Sequence, residues 1–139
     1  MLLNTVIAIF IILITVVIHS GGMQLVLVRL QSYEDKPEHR HRRHIFWVGS
    51  AILVMFVVSL LEVVVWAVTY MSLNAVQSFE EALYFSMVTF TTLGYGDVTL
   101  DAGWRLLSAF EAANGIIMFG WTTAIVIAVV QRVHTRPKK

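Results

Sequence analysis

The chain of 139 residues contains no cysteine, only two prolines and few charged residues, 14% of the total against 58% hydrophobic. Without cysteine there is neither a disulfide framework nor thiolate chemistry. So little charge in so apolar a chain excludes an ordinary soluble domain, in which about a quarter of residues are charged. The scarce charges are also unevenly placed: none precedes Arg29, none lies in 45–61 and none in 112–131. Each gap holds about 17 residues or more, most of a helix across ~30 Å of hydrocarbon. The first segment lacks a basic leader region, runs long and shows no small-residue cleavage site, so it reads as a span rather than a cleaved signal peptide. The pattern implies an integral membrane protein with three helical spans.

Orientation is read from the basic residues. Arg29, Lys36, Arg40, Arg42 and Arg43 cluster in the first connection; Arg132, Arg136, Lys138 and Lys139 close the chain, and only Arg105 falls elsewhere. The positive-inside rule puts the connection and the tail in the cytoplasm, and therefore the N-terminus outside. The segment between the second and third spans is then external. It carries Glu80, Glu81, Asp97 and Asp101 against Arg105, an acidic mouth that concentrates cations.

The expected organisation is an N-terminal transmembrane helix over 1–30, a basic cytoplasmic loop over 31–44, a further unit over 45–133 and a basic tail over 134–139. His19, Ser20, Gly21 and Gly22 interrupt the first span and predict a kink or a close helix contact. No Arg or Lys repeat runs through that span, which argues against a voltage sensor; it reads as a membrane anchor packed outside the rest. Pro37 breaks any helix in the loop. Trp47 and Tyr70, near the two ends of a second span over 45–71, read as interfacial anchors. Ser78-Phe79-Glu80-Glu81 is a capping-box pattern opening a helix over 79–90. Its ~18 Å cannot cross a bilayer, so it is predicted to be re-entrant. Gly94 and Gly96 end regular structure, and a third span over 104–133 follows, opened by Trp104 and Arg105.

Irregular backbone at membrane depth is tolerated only where protein buries it or water reaches it. A non-helical Thr92-Leu93-Gly94-Tyr95-Gly96 strand after a half-crossing helix therefore implies a cavity and permeation. Gly94 and Gly96 can adopt positive φ, letting successive carbonyls face one axis, and Thr92 adds a hydroxyl. The C-terminal end of the short helix favours a cation near the membrane centre.

The stretch 82–90 followed by Thr91-Thr92-Leu93-Gly94-Tyr95-Gly96-Asp97 resembles the pore helix and selectivity filter of potassium channels. The resemblance covers roughly 45–132 and extends to 115–120, whose two glycines, Gly115 and Gly120, are spaced as in the inner helices of simple bacterial channels. It implies an all-α membrane protein: three transmembrane helices plus a re-entrant pore helix and filter loop, assembled as a tetrameric pore. It also implies potassium as the permeant ion, with no cofactor and no enzymatic activity. The carbonyls of Thr92, Leu93, Gly94 and Tyr95, with the Thr92 hydroxyl and the flexibility of Gly96, would form a queue of potassium sites crossed by mutual repulsion. Thr91, Tyr84, Phe85 and Asp97 would support the filter. Gly115 matches a bending point, and Ile116, Phe119, Thr123 and Ile127 would share the face lining an inner vestibule. One filter strand per chain implies a homotetramer.

Departures from the family pattern matter. Leu93 replaces the more usual Val or Ile. Tyr84 and Phe85 stand where many relatives place two tryptophans, and we expect the Tyr84 hydroxyl to reach Asp97 and replace part of that brace. Val88 stands where the simplest bacterial channels have a glutamate. Glu62 and Glu111 lie within spans, where charge is costly and faces a bundle interior or water. They are read either as acids tying the helices together, with Thr89, Thr91, Asn114 and Trp66 as partners, or, for Glu111, as a source of negative potential or a proton sensor near the filter. His39, His41 and His44 interleave with Arg40, Arg42 and Arg43, a pattern suited to internal pH sensing, to anionic lipid or to a solvated anchor. Neighbouring arginines disfavour a metal there, and nothing points to nucleic acid. Two other classes stay open from the residues alone: a weakly selective cation channel and a non-conducting accessory subunit.

Overall fold

A computed structural model describes the backbone of residues 1–34 and 40–134 and the side chains of residues 1–30 and 46–132. The described residues form four α-helices: α1 Leu2–Glu34, α2 Arg40–Ser72, α3 Phe79–Phe90 and α4 Arg105–His134. Three segments, Leu2–Leu30, Phe46–Ser72 and Arg105–Arg132, are long and apolar enough to cross a membrane. The chain is an all-helical membrane protein with three candidate spans and one short helix between the second and third.

Two boundaries differ from the sequence expectation. α1 runs on to Glu34 and α2 begins at Arg40, so helix continues from both sides into the stretch expected to be a loop, on either side of Pro37. Gln31, Glu34, Arg40, Arg42 and Arg43 lower hydropathy while remaining good helix formers, and hydropathy set the expected ends. α1 also passes through His19–Gly22 as unbroken helix. Of the two predicted outcomes, the close contact is the one found. A Cβ added at Gly22 would overlap the Val58 side chain of α2, so the missing side chain lets these helices approach.

α2 ends in a Schellman motif. Asn74 adopts φ 52, Ala75 N donates to Tyr70 O at 2.9 Å and Asn74 N to Met71 O at 2.9 Å, which satisfies the last carbonyls of the helix. Ser78, in extended backbone, caps α3 by accepting from Glu81 N at 3.2 Å. Glu80 and Glu81 sit in the first turn, where the helix dipole favours acids.

α2 and α4 touch each other, and each also touches both α1 and α3, while α1 and α3 do not meet. The α2–α4 pair is therefore the centre of the bundle. One apolar cluster joins Ala8 and Ile11 of α1, Val63, Trp66 and Tyr70 of α2, Phe85 and Phe90 of α3 and Leu107 and Met118 of α4. A second, around Met55, Val26, Leu30, Ile125 and Val129, packs the other end of the three long helices. Large apolar side chains such as Phe10, Val17, Leu53, Phe56 and Ile117 stay exposed, as lipid-facing or subunit-facing positions do.

Candidate functional site: the loop between α3 and α4

The site is built on the C-terminal end of α3. Thr91 caps the helix: its N–H donates to Met87 O at 3.1 Å and its hydroxyl to the same oxygen at 2.8 Å. Thr92 N then donates to Thr89 O at 2.9 Å, and Gly94 N reaches back to Val88 O at 3.0 Å. The first half of the loop is thus pinned to the last turn of α3. Thr92, Gly94 and Gly96 have φ of 60, 51 and 81. The glycines reach this region freely, but a β-branched threonine does so only under strain of about 1–3 kcal/mol. The sequence offered no signal for that third inversion.

Residues 91–97 are all exposed in the single chain, with Leu93 55% and Tyr95 68% accessible. Beside them a groove of about 420 Å³ is lined by Phe85, Val88, Thr92, Gly94, Arg105 and Ser108, among others. The Tyr84 hydroxyl donates to Asp97 Oδ2 at 2.7 Å, the reach expected from the sequence, which ties the far end of the loop to the middle of α3. This bond holds the Asp97 carboxyl below its ordinary value and pushes the Tyr84 hydroxyl up. Phe85 is buried, edge-on to Tyr70 with ring centroids 5.2 Å apart.

α4 is locked to α3 at two points. Glu111 is fully buried; its Oε2 accepts from the Tyr70 hydroxyl at 2.6 Å, and its Oε1 lies against Ser86 Oγ. Ser86 also donates to Val63 O at 2.9 Å. One Ser86 proton cannot serve both oxygens. With the carboxyl itself protonated, its O–H donates to Ser86 Oγ and every bond in the group has a donor. One turn later Gly115 passes so close to the end of α3 that an added Cβ would overlap the Phe90 carbonyl oxygen.

These partners correct the sequence reading. Glu111 is held by Tyr70 and Ser86 and Glu62 by His19, not by Thr89, Thr91, Asn114 or Trp66. Tyr70 is fully buried rather than an interfacial anchor. Asn114 instead donates from Nδ2 to Thr15 Oγ1 of α1 at 3.0 Å. Hydropathy places tyrosine and glutamate in a span but does not reveal which share a face, and that pairing decided both positions.

Further along α4, Ile116, Phe119, Thr123 and Ile127 lie on exposed surface. The Phe119 ring stands edge-on to Phe90 at 5.6 Å, and Gly120 has open space where a Cβ would project. The side chains of His39, Arg40, His41, Arg42, Arg43 and His44 lie outside the described residues, as does the tail beyond His134. Among the described residues no cluster of three or more His, Cys, Asp or Glu is placed to hold a metal ion.

The family model for ion channels matches residues 46–132, from the start of the second span to the end of the third. The chain belongs to the ion channel family. No curated protein and no solved structure matches it. The matched segment contains α3, the loop and the Glu111 and Gly115 contacts of this channel protein, while α1 lies outside it.

Proposed function

We propose that this ion channel family member is a potassium-selective channel in which four copies bring their 92–97 segments around a common axis. The observation that carries the reading is the loop itself: positive φ at Gly94 and Gly96, with an exposed non-helical backbone set between two membrane spans. Such backbone cannot face lipid, and among the described residues it stays exposed in the single chain. Copies of the same loop would cover it and direct its carbonyls at a dehydrated ion.

In this reading Thr92, Leu93, Gly94, Tyr95 and Gly96 form the ion path; Thr91, Tyr84, Phe85 and Asp97 support it. Gly115 and Gly120 belong to the inner helix, whose Ile116, Phe119, Thr123 and Ile127 line the vestibule. The N-terminus lies outside and the C-terminus in the cytoplasm, with Arg40, Arg42 and Arg43 against anionic lipid. Leu93 coordinates through its carbonyl, so its larger side chain is compatible with selectivity. Potassium is the permeating ion and no cofactor takes part.

The test is ion flux through purified protein in liposomes, with potassium, sodium and barium compared. Potassium flux blocked by barium, without sodium flux, supports the proposal. Equal sodium flux would replace it with a weakly selective cation channel. Absence of flux across the pH range would favour an accessory subunit.

A further inference from the structure

His19 of α1 and Glu62 of α2 are both fully buried, with Nδ1 of the imidazole 2.9 Å from Oε1 of the carboxyl. α4 joins them: Thr122 Oγ1 lies 3.5 Å from His19 Nε2, and the Trp121 ring centroid lies 5.9 Å from that of His19. Nothing in the proposed conduction path uses this group. Glu62 also differs from Glu111. Both oxygens of Glu111 are partnered, whereas Glu62 Oε2 is buried without a hydrogen-bond partner.

Among the described residues no other titratable group bonds to the pair. α1 has no charged residue before Arg29. Within its span, α2 has only Glu62 and Tyr70, and the Tyr70 hydroxyl is taken by Glu111. α4 presents Thr122 and Trp121, its Glu111 being turned to Ser86 and Tyr70. α3 packs against α2, but its Glu80 and Glu81 lie in its exposed first turn and its Tyr84 hydroxyl is taken by Asp97. A carboxylate beside a neutral imidazole would therefore leave one uncompensated negative charge at membrane depth, with one oxygen unbonded, among the least favourable placements in a protein. One additional proton removes that charge. It lies between Nδ1 and Oε1, and Nε2–H then donates to Thr122.

We propose that His19 and Glu62 form a proton-binding site that closes the seam between α1 and the α2–α4 pair. With the proton bound, the three helices pack as described. When it leaves, the charge draws water to Glu62 Oε2 and α1 yields. The packed form holds one more proton than the parted form, so rising pH favours parting. Thr122 adjoins Thr123 on the exposed face of α4, so the seam would act on conduction; this last step rests on the channel reading above.

Two measurements on the full chain in liposomes test the site. Potassium flux in wild type should change about fivefold or more between roughly pH 6 and pH 9, the lower end of typical coupling between sites, and the dependence should flatten in Glu62→Gln. In parallel, ¹⁵N-histidine NMR, with the His19 signal identified by its loss in His19→Gln, reports the proton whether or not the protein conducts. His19 should titrate in wild type and lose or shift that titration in Glu62→Gln. Should Glu62→Gln fail to assemble, the carboxyl infrared band of Glu62 in His19→Gln replaces it, and a changed pH response is expected. A flux profile shared by wild type and Glu62→Gln overturns the gating role. A His19 signal that does not titrate, or titrates alike in both, overturns the proton site itself.

Discussion

Replacing Gly115 with alanine puts a methyl group where α4 crosses the end of α3. A Cβ built there overlaps the Phe90 carbonyl oxygen and lies 2.9 Å from its carbon and 3.2 Å from Phe90 Cα. Nonbonded carbons rest comfortably at about 3.5–4.0 Å, so backbone must retreat from backbone by roughly an ångström. Neither side offers a flexible side chain to absorb the shift. Overpacking costs ~1–3 kcal/mol per site, and two rigid partners place this one near ~3 kcal/mol. Phe90 is the last residue of α3, and Thr92 and Gly94 bond to the turn just before it, so the displacement passes directly into the loop. Gly115→Ala should lower the melting temperature of the purified protein and, on the function proposed above, move the reversal potential in mixed potassium and sodium toward sodium. Gly120→Ala is the internal control, since nothing lies within 4 Å of its added Cβ. It should leave selectivity unchanged and, through helix propensity, stabilise by up to ~1 kcal/mol. A Gly115→Ala protein as stable and selective as wild type, or equal damage from Gly120→Ala, would refute the contact argument and favour bending as the reason for both glycines.

Other substitutions probe the remaining ties. In Tyr84→Phe the hydrogen bond that holds the Asp97 carboxyl low is gone. Its effect is present above the ordinary carboxylate range and lost as pH falls through the lowered value. Acid on the loop side should therefore reduce single-channel conductance at a higher pH than in wild type, and an unshifted acid profile counts against the bond. Tyr70→Phe removes a donor to buried Glu111 and should destabilise the folded protein by about 1–2 kcal/mol in chemical unfolding; no measurable change would mean the carboxyl finds another partner. Asn114→Ala breaks only the α1–α4 bond to Thr15 and should cost about 0.6 kcal/mol. Ion selectivity should be unchanged, and a selectivity change would show that α1 contacts reach the loop.

Much of the site could be read from the sequence because its constraints are local. The Ser78 cap, the 12-residue helix and the glycines at 94 and 96 each impose a backbone state within a few residues, and the Tyr84–Asp97 bond joins neighbours across a single loop. What was hidden depends on which faces meet. His19 looked like part of a break in α1, yet it is buried helix whose partner lies 43 residues away. Tyr70, placed like an interfacial anchor, turns inward to an acid 41 residues on. In helices that are apolar nearly all round, periodicity no longer marks the inward face. Only the scattered polar groups do, and a single sequence does not pair them. Thr92 was hidden for a different reason: nothing about threonine announces φ of 60, which the bonds of Thr92 and Gly94 to the end of α3 hold in place.

The polar partners of α1 have a consequence for how the protein is made. Asn4 Nδ2 donates to Gly103 O, Thr15 accepts from Asn114 and His19 meets Glu62, and all three partners belong to segments synthesised after α1. When α1 first enters the bilayer, Asn4 and His19 have no such partner, and the energetic reason to hold α1 against the bundle does not yet exist. α2 supplies the His19 contact, the close approach of Gly22 to Val58 and shared apolar packing; the other two polar contacts wait for the loop at Gly103 and for α4. Two of the three polar ties of α1 therefore form only once the chain has passed residue 103. The first helix made is the last to be fully docked, and a ribosome stalled before residue 103 leaves it held through α2 alone.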